Sequence, residues 1–196
     1  NSVDPKKVIR HIDNQYLTRG AQRQQLDLMK QMNELHLEKR GGQDNRLEAR
    51  IESLEMAFRM QTEAQTVFDL GKETKATQDA YGSGQFARGC LSARRLVESG
   101  VRMVQVYYGN GQPWDDHGDI KAHADKAKNV DQPIAALIND LKERDLLKDT
   151  LIVWGGEFGR TPVAENGNGR DHNHHGFTMW LAGGGVKGGM TYGATD

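Results

Sequence analysis

Apolar residues in the first third of the chain recur at three- and four-residue intervals, which is the spacing of one narrow stripe on a helix. The recurring positions are Leu28, Met32, Leu35, Leu47, Ile51, Leu54 and Phe58. Gly41-Gly42 would end a first helix, and Asp44 can cap a second. The pattern therefore predicts a helical hairpin over 18–40 and 44–66, whose stripes serve internal packing. A dimerising coiled coil is the alternative.

The second half of the chain alternates between amphipathic segments and short apolar runs rich in β-branched residues. The predicted elements are a connector with one short helical turn (67–82), a helix (83–98), a strand (101–108), a helix (123–144) and two strands (150–154 and 177–182). Helices that alternate with short strands indicate an open α/β sheet, mostly parallel. We expect two domains: the hairpin with its connector over 1–82, as an insertion or cap, and an α/β domain over 83–196.

Composition narrows the classes of function. The chain has 196 residues, of which 36% are hydrophobic, enough to bury a core in one domain or slightly more. Its net charge of −1 gives no general attraction to nucleic acid or to an anionic membrane surface. The single cysteine, Cys90, excludes an intrachain disulfide and a cysteine-rich zinc site, and its helical surroundings favour a buried structural residue. No run approaches the roughly 20 apolar residues of a membrane-spanning helix.

Histidine and acidic residues concentrate in two loops of the second half, 114–119 and 170–175. Five of the seven histidines lie in that half of the chain. Both loops adjoin predicted strands, and ligands of α/β sheets gather at the carboxyl ends of strands. Carboxylates and imidazoles are typical ligands of divalent metals. Asp115, His117 and His172 are therefore candidate metal ligands, with a solvated loop of surface histidines as the alternative.

Further polar side chains accompany these clusters. Glu157 follows two glycines after a predicted strand, and Arg160 lies three residues on. The arginine fork suits an oxyanion such as phosphate or sulfate, whereas the simpler alternative is an ion pair between Glu157 and Arg160. In the second cluster, Asp171 is a further candidate metal ligand. The neighbouring His174 and His175 are candidate substrate contacts or supports for the ligands.

Three strings in the second half are distinctive. They are Thr-Leu-Ile-Val-Trp-Gly-Gly-Glu-Phe-Gly-Arg-Thr-Pro from position 150, then Gly-Arg-Asp-His, and finally Phe-Thr-Met-Trp-Leu-Ala-Gly-Gly-Gly-Val-Lys-Gly-Gly. Together with Trp114-Asp115-x-His117 they resemble a large bacterial family, domain of unknown function 1501, abundant in planctomycete-like bacteria. The resemblance covers essentially the whole chain. That family is similar to a branch of the alkaline phosphatase and sulfatase superfamily, which implies a three-layer α/β/α sandwich with a bimetal site.

The resemblance also implies roles for individual residues. Asp115 and His117 match the pair that holds one metal, and His172 matches the histidine that returns to it. Glu157 and Phe158 stand where the superfamily has an Asp-His pair for the second metal, so Glu157 could ligate and Phe158 cannot. The superfamily's nucleophile lies near the start of the full protein. The chain is therefore expected to be a fragment that lacks both ends, with the nucleophile outside it.

The function implied by the resemblance is metal-dependent hydrolysis of a phosphate or sulfate ester, carried by a small molecule or a polysaccharide. One or two divalent ions, zinc, calcium or manganese, would assist the reaction. Family members are usually exported, which implies a periplasmic or extracellular location. The alternative function is non-catalytic: a binding or structural protein that retains the fold, including one in a cell-surface assembly. The helical hairpin would then bind a protein partner, and the missing Asp-His pair favours this alternative.

Overall fold

The computed structural model of the protein describes residues 9, 12–39, 45–164 and 167–194. These residues form a mixed α/β protein that is about 52% helical and carries two small antiparallel sheets. The chain divides into two compact units, 1–72 and 73–196. Among the helices described, none has the length and apolar character needed to cross a bilayer.

The first unit contains the two helices that the sequence predicts. They are α1 (Arg19–Lys39) and α2 (Asn45–Val67), and a 3-10 turn follows (Leu70–Lys72). Arg23 of α1 donates to both carboxylate oxygens of Glu55 of α2, at 2.7 Å through Nη1 and more closely through Nη2. The predicted stop at Gly41-Gly42 and the predicted cap at Asp44 lie outside the described residues. A bidentate ion pair therefore links the two helices.

The apolar stripe of α1 is not its buried face. Leu28, Met32 and Leu35 are exposed, and Leu26 and Asn33 are buried instead. Positions two residues apart point to nearly opposite sides of a helix with 3.6 residues per turn. The buried face is therefore turned away from the predicted stripe, and the prediction that this stripe packs internally is wrong for α1.

The described residues of the second unit form three helices. They are α3 (Lys75–Tyr81), α4 (Gln85–Glu98) and α5 (His123–Glu143), and a 3-10 turn leads into α5 (Ile120–Ala122). The segment 67–82, predicted as a connector with one helical turn, contains the whole of α3. The prediction therefore underestimated the helical content of this segment. Thr74 caps this helix by accepting a hydrogen bond from the Thr77 N–H, and Tyr81 at its end is buried. Cys90 of α4 is buried as predicted, and burial raises the pKa of its thiol to about 12.

A buried ion-pair network joins these three helices around Arg94, whose side chain is 1% exposed. Its Nη2 lies 2.7 Å from Glu73 Oε2, its Nε lies 2.9 Å from Asp140 Oδ2, and its Nη1 donates to Glu98 at 2.6 Å. The Tyr81 hydroxyl also donates to Asp140, at 3.0 Å. Burial disfavours the charged guanidinium, but the carboxylates outweigh it, so the pKa of Arg94 is raised. The core of this unit is therefore held by charge as well as by apolar packing.

The strands of the second unit form two separate ladders. They are β1 (Leu151–Trp154), β2 (Gly159–Arg160), β3 (His172–Asn173) and β4 (Trp180–Gly183). Strand β1 pairs with β4, and β2 with β3, both antiparallel. The expectation of a mostly parallel sheet is therefore wrong for the described strands. Between β1 and β4 the described residues form the β2–β3 ladder and no helix, whereas parallel neighbours require a crossover connection, usually a helix.

The segment 101–108, predicted as a strand, is not one in the described structure. Exposure alternates along it: Met103 and Tyr107 are 75% and 78% exposed, whereas Val106 and Tyr108 face helix α4. The Tyr108 ring lies 5.5 Å from that of Phe86. A strand requires a hydrogen-bonded neighbour, and within the described part of the chain this segment pairs with none. The alternating pattern is thus satisfied by packing against a helix.

Candidate metal centre

Two loops that are distant in sequence, 114–119 and 167–171, are joined by backbone hydrogen bonds. The Asn168 N–H donates to the Gly118 carbonyl at 3.1 Å, and the Ile120 N–H donates to the Asn168 carbonyl at 3.1 Å. The Arg170 N–H donates to the Asp116 carbonyl at 3.0 Å. Short β-like pairing therefore brings the two acid–histidine clusters of the sequence to the same place.

Gly169 makes this close approach of the loops sterically feasible. A Cβ atom at this position would lie 1.9 Å from the His117 carbonyl oxygen, and real Cβ atoms do not approach backbone so closely. We expect Gly169→Ala to destabilise the second unit by about 1–3 kcal/mol through overpacking. It should also weaken divalent-cation binding, because His117 must move.

The natural control for this variant is Gly118→Ala in the facing loop, where an added Cβ meets nothing within 4 Å. Urea unfolding followed by tryptophan fluorescence measures the effect on this unit alone, since Trp114, Trp154 and Trp180 all lie in it. Equal unfolding free energies for the two alanine variants would contradict the steric role of Gly169.

The loop 114–119 is also anchored to helix α5. Asp116 Oδ2 lies 2.9 Å from His123 Nε2 and forms a close ion pair with Lys126. His123 Nε2 also lies 3.0 Å from the Trp114 carbonyl oxygen. Both anchoring side chains belong to the first turns of the helix. Asp116 therefore faces away from the candidate ligands and fixes the loop that carries them.

Two candidate ligands, His117 and His172, converge with Arg160 on one oxygen atom of the third candidate ligand, Oδ1 of Asp115. His172 Nε2 lies 2.9 Å from it and His117 Nε2 lies 3.1 Å from it. Arg160 Nη1 donates to the same atom at 2.5 Å. The ligand atoms of Asp115, His117 and His172 all lie within 4.8 Å of one another. The structure thus brings together four of the residues that the sequence singles out, three candidate ligands and Arg160.

The charge on Asp115 is strongly favoured. Hydrogen bonds from His172 and then from Arg160 lower the pKa of the Asp115 carboxyl from 3.8 to about 2. A carboxyl with a depressed pKa contributes stability that is fully present above its unfolded value and is lost as the pH falls through about 2. Asp115 therefore remains an anionic candidate ligand over the whole physiological range.

Asp171 supports the cluster from behind His117. Its Oδ1 lies 3.1 Å from His117 Nδ1, while the other ring nitrogen faces Asp115. A carboxylate that accepts a hydrogen bond from Nδ1 fixes the ring orientation and leaves Nε2 free to act as a ligand. The predicted residue Asp171 thus lies at the site, beside a ligand and outside the three-residue group.

Phe158 and Arg160 form one wall of the cluster. The Phe158 ring lies 4.5 Å from the His172 ring, and the Arg160 guanidinium carbon lies 5.4 Å from the centre of the same phenyl ring. Sequence reasoning excluded Phe158 as a ligand but assigned it no other role. Its ring packs between a candidate ligand and the candidate oxyanion residue, and so helps to position both.

Three other predicted site residues lie outside the group formed by Asp115, His117 and His172. Glu157 is 58% exposed, and its Oε1 is 4.0 Å from Arg160 Nη2, at the limit of an ion pair. Arg160 lies closer to Asp115 than to Glu157, so its main ion pair is with Asp115 and not with Glu157. The rings of His174 and His175 lie 3.8 Å apart, against each other. The described geometry brings none of these three into the ligand group.

The donor set of the cluster fits one divalent cation. One carboxylate and two imidazoles form a ligand set found for zinc and for other transition metals, and a supporting carboxylate on the histidine is usual. The side chains of His117 and His172 are 49% and 46% exposed. The cluster is therefore open to an ion and to a small anion from solution.

Comparison with known proteins gives one result. Neither the curated proteins nor the solved structures include a match to this chain. The family model described as "Protein of unknown function (DUF1501)" matches residues 2–196, which is nearly the whole chain. The chain therefore belongs to the DUF1501 family of proteins of unknown function.

Proposed function

We propose that this protein is a metal-dependent hydrolase of phosphate or sulfate esters. The observation that carries the proposal is the convergence of His117, His172 and Arg160 on Oδ1 of Asp115. Two imidazoles and a carboxylate suit a divalent cation, and an arginine beside them suits the oxygens of a phosphoryl or sulfuryl group. Few structural roles would require all four groups at one exposed site.

Within this proposal, each residue of the site has a defined task. Asp115, His117 and His172 hold the cation, and Asp171 keeps the His117 ring in the orientation that presents Nε2. A bound cation would polarise a phosphoryl or sulfuryl oxygen and stabilise charge that develops as the ester breaks. Arg160 binds and orients the remaining oxygens. The two nitrogen donors favour zinc over calcium, because calcium prefers oxygen ligands.

The finer assignment to the alkaline phosphatase and sulfatase superfamily belongs to the same proposal. Its three-layer sandwich would cover apolar surface that is open here, on the β1–β4 sheet and along 101–108. Val153 and Leu181 are half exposed, and Met103 and Tyr107 are more so, while a two-stranded sheet alone is marginally stable in water. We propose that further strands of a longer, exported protein cover these positions, and that its nucleophile lies on that further chain.

An ester panel tests the proposal. Phosphate and sulfate esters of nitrophenol are offered to the full-length protein with zinc, manganese or calcium. We expect hydrolysis of one ester class that depends on the added cation and disappears in Asp115→Asn. Asp131→Asn serves as the matched control, since it makes the same change at an exposed position of helix α5. Turnover that persists without a cation, or that survives Asp115→Asn, would refute the proposed mechanism.

The second candidate function is cation-dependent binding without catalysis. The observation in its favour is Phe158, which packs against His172 at the position where the superfamily places a second pair of metal ligands. A site with a single cation could hold an oxyanion without cleaving its ester. In the panel, this function appears as esters that bind in the presence of the cation but are not hydrolysed by the full-length protein.

A further inference from the structure

We propose that Arg160 and the divalent cation compete for Oδ1 of Asp115, so that cation binding releases Arg160 to hold an oxyanion. This inference rests on the proposed function and adds an order of binding to it. The cation would prepare the anion site, and an inorganic phosphate or sulfate group would in turn strengthen the hold on the cation.

The competition follows from three contacts made by one atom. Arg160 Nη1 donates to Asp115 Oδ1 at 2.5 Å. His172 Nε2 and His117 Nε2 lie 2.9 and 3.1 Å from that same oxygen, and 3.2 Å from each other. A cation that uses both imidazole nitrogens must therefore also approach Oδ1. The guanidinium already occupies one direction of approach to that atom.

Charge makes simultaneous occupation unfavourable. A guanidinium is protonated at all accessible pH values, and a divalent cation at the same oxygen would lie only a few ångströms from it. Like charges at such a separation repel strongly wherever water is partly excluded. The side chains of Arg160 and Asp115 are 21% and 16% exposed, so solvent screens this pair only in part. The cation therefore displaces the guanidinium from Asp115.

The displaced guanidinium has a place to go within the site. It already lies over the Phe158 ring, 5.4 Å from its centre, and an aromatic face attracts a cation. Its Nη2 is 4.0 Å from the exposed Glu157 carboxylate. Arg160 can therefore leave Asp115 and remain beside the cluster. Its freed N–H groups are then available to bind two oxygens of one anion.

The consequence is a reciprocal coupling between the two ligands. If cation binding frees Arg160 for the anion, then the anion must strengthen cation binding by the same factor. Couplings of this kind are on the order of 5- to 150-fold. Without Arg160, the cation has no competitor at Asp115 and the anion has no arginine to bind. Removal of Arg160 should therefore abolish both its competition with the cation and the strengthening of cation binding by the anion.

The test is a titration of the purified protein with Mn²⁺, followed by the electron paramagnetic resonance of the free ion. It is run with and without inorganic phosphate, on the natural protein and on Arg160→Met. We expect phosphate to tighten Mn²⁺ binding about 10-fold in the natural protein. In Arg160→Met, Mn²⁺ should bind about 10-fold more tightly without phosphate, and phosphate should have no further effect.

Two further variants complete the design. Lys121→Met removes an exposed positive charge from the same region of chain and should behave as the natural protein does. Arg160→Lys keeps the charge but loses the fork, so it should retain weak Mn²⁺ binding with a smaller phosphate effect. If Arg160→Met does not fold, Arg160→Lys still tests the competition.

The outcomes separate the two levels of the proposal. If the natural protein binds no Mn²⁺ in either condition, the proposed metal-dependent function fails, and the competition fails with it. If Mn²⁺ binds, but the Arg160 variants show the natural affinity and the natural phosphate effect, only the competition is overturned. Tighter Mn²⁺ binding in Arg160→Met together with loss of the phosphate effect supports both.

Discussion

Replacing Arg94 with methionine is expected to lower the unfolding free energy of the second unit by about 3 kcal/mol. The Arg94 side chain is 1% exposed and lies between Glu73 and Asp140, whose side chains are 8% and 13% exposed. Removing one partner of a buried ion pair leaves the other charges uncompensated, which usually costs about 3–5 kcal/mol. We expect the lower end of that range, because Arg95 still contacts Glu73 and Arg144 still contacts Asp140.

The loss is measured by urea unfolding followed through tryptophan fluorescence, since all three tryptophans lie in this unit. The matched control is Arg88→Met, a change of the same chemistry at an exposed position of the same helix. It should alter the unfolding free energy by less than about 0.5 kcal/mol. If Arg94→Met and Arg88→Met were equally stable, the buried network would not hold the core as described.

Removing either proposed histidine ligand, His117 or His172, is expected to have the largest effect on metal binding at the site. His117→Ala and His172→Ala each delete one of the three candidate ligands, with Asp115 as the third, that the described part of the chain brings together. Changes to groups that merely support a ligand cost about 10- to 100-fold in metal affinity, so loss of a ligand should cost at least about 100-fold. The measurement is the Mn²⁺ or Zn²⁺ content of the purified variants after equilibrium dialysis, by elemental analysis.

His175→Ala is the control for these variants, because His175 is a nearby histidine of the same loop that lies outside the ligand group. It should retain the metal content of the natural protein. The metal content of Asp171→Asn should lie between that of the natural protein and that of the two histidine variants. This change weakens the orientation of the His117 ring but removes no proposed ligand. Unchanged metal content in both His117→Ala and His172→Ala would reject the ligand assignment.

The helices could be predicted from the sequence because their signals are local. Helices α1, α2, α4 and α5 lie close to the predicted ranges, since periodic apolar positions and helix stops are encoded within each segment. Strands depend on distant partners, and the predictions for them were less accurate. The segment 101–108 has the pattern of a strand, but its residues Val106 and Tyr108 pack on α4, and no strand pairs with it in the described structure.

The site was predictable in its ligand types and less so in its arrangement. Asp115, His117 and His172 stand in two conspicuous clusters, and loops of this kind carry ligands. Glu157, a candidate ligand by resemblance, lies outside the three-residue group, because a short-range motif does not fix which way a loop side chain points. Gly169 could have been suspected as a glycine beside a ligand cluster. Nothing in the sequence predicted the pairing of Asp116 with His123 and Lys126.

The most direct measurement is an anomalous difference map from crystals of this protein grown with Mn²⁺. We predict one strong peak, bounded by Asp115 Oδ1, His117 Nε2 and His172 Nε2, with the Arg160 guanidinium moved away from Asp115. A map without a peak among these three residues, or with the ion bound elsewhere on the chain, would contradict the account.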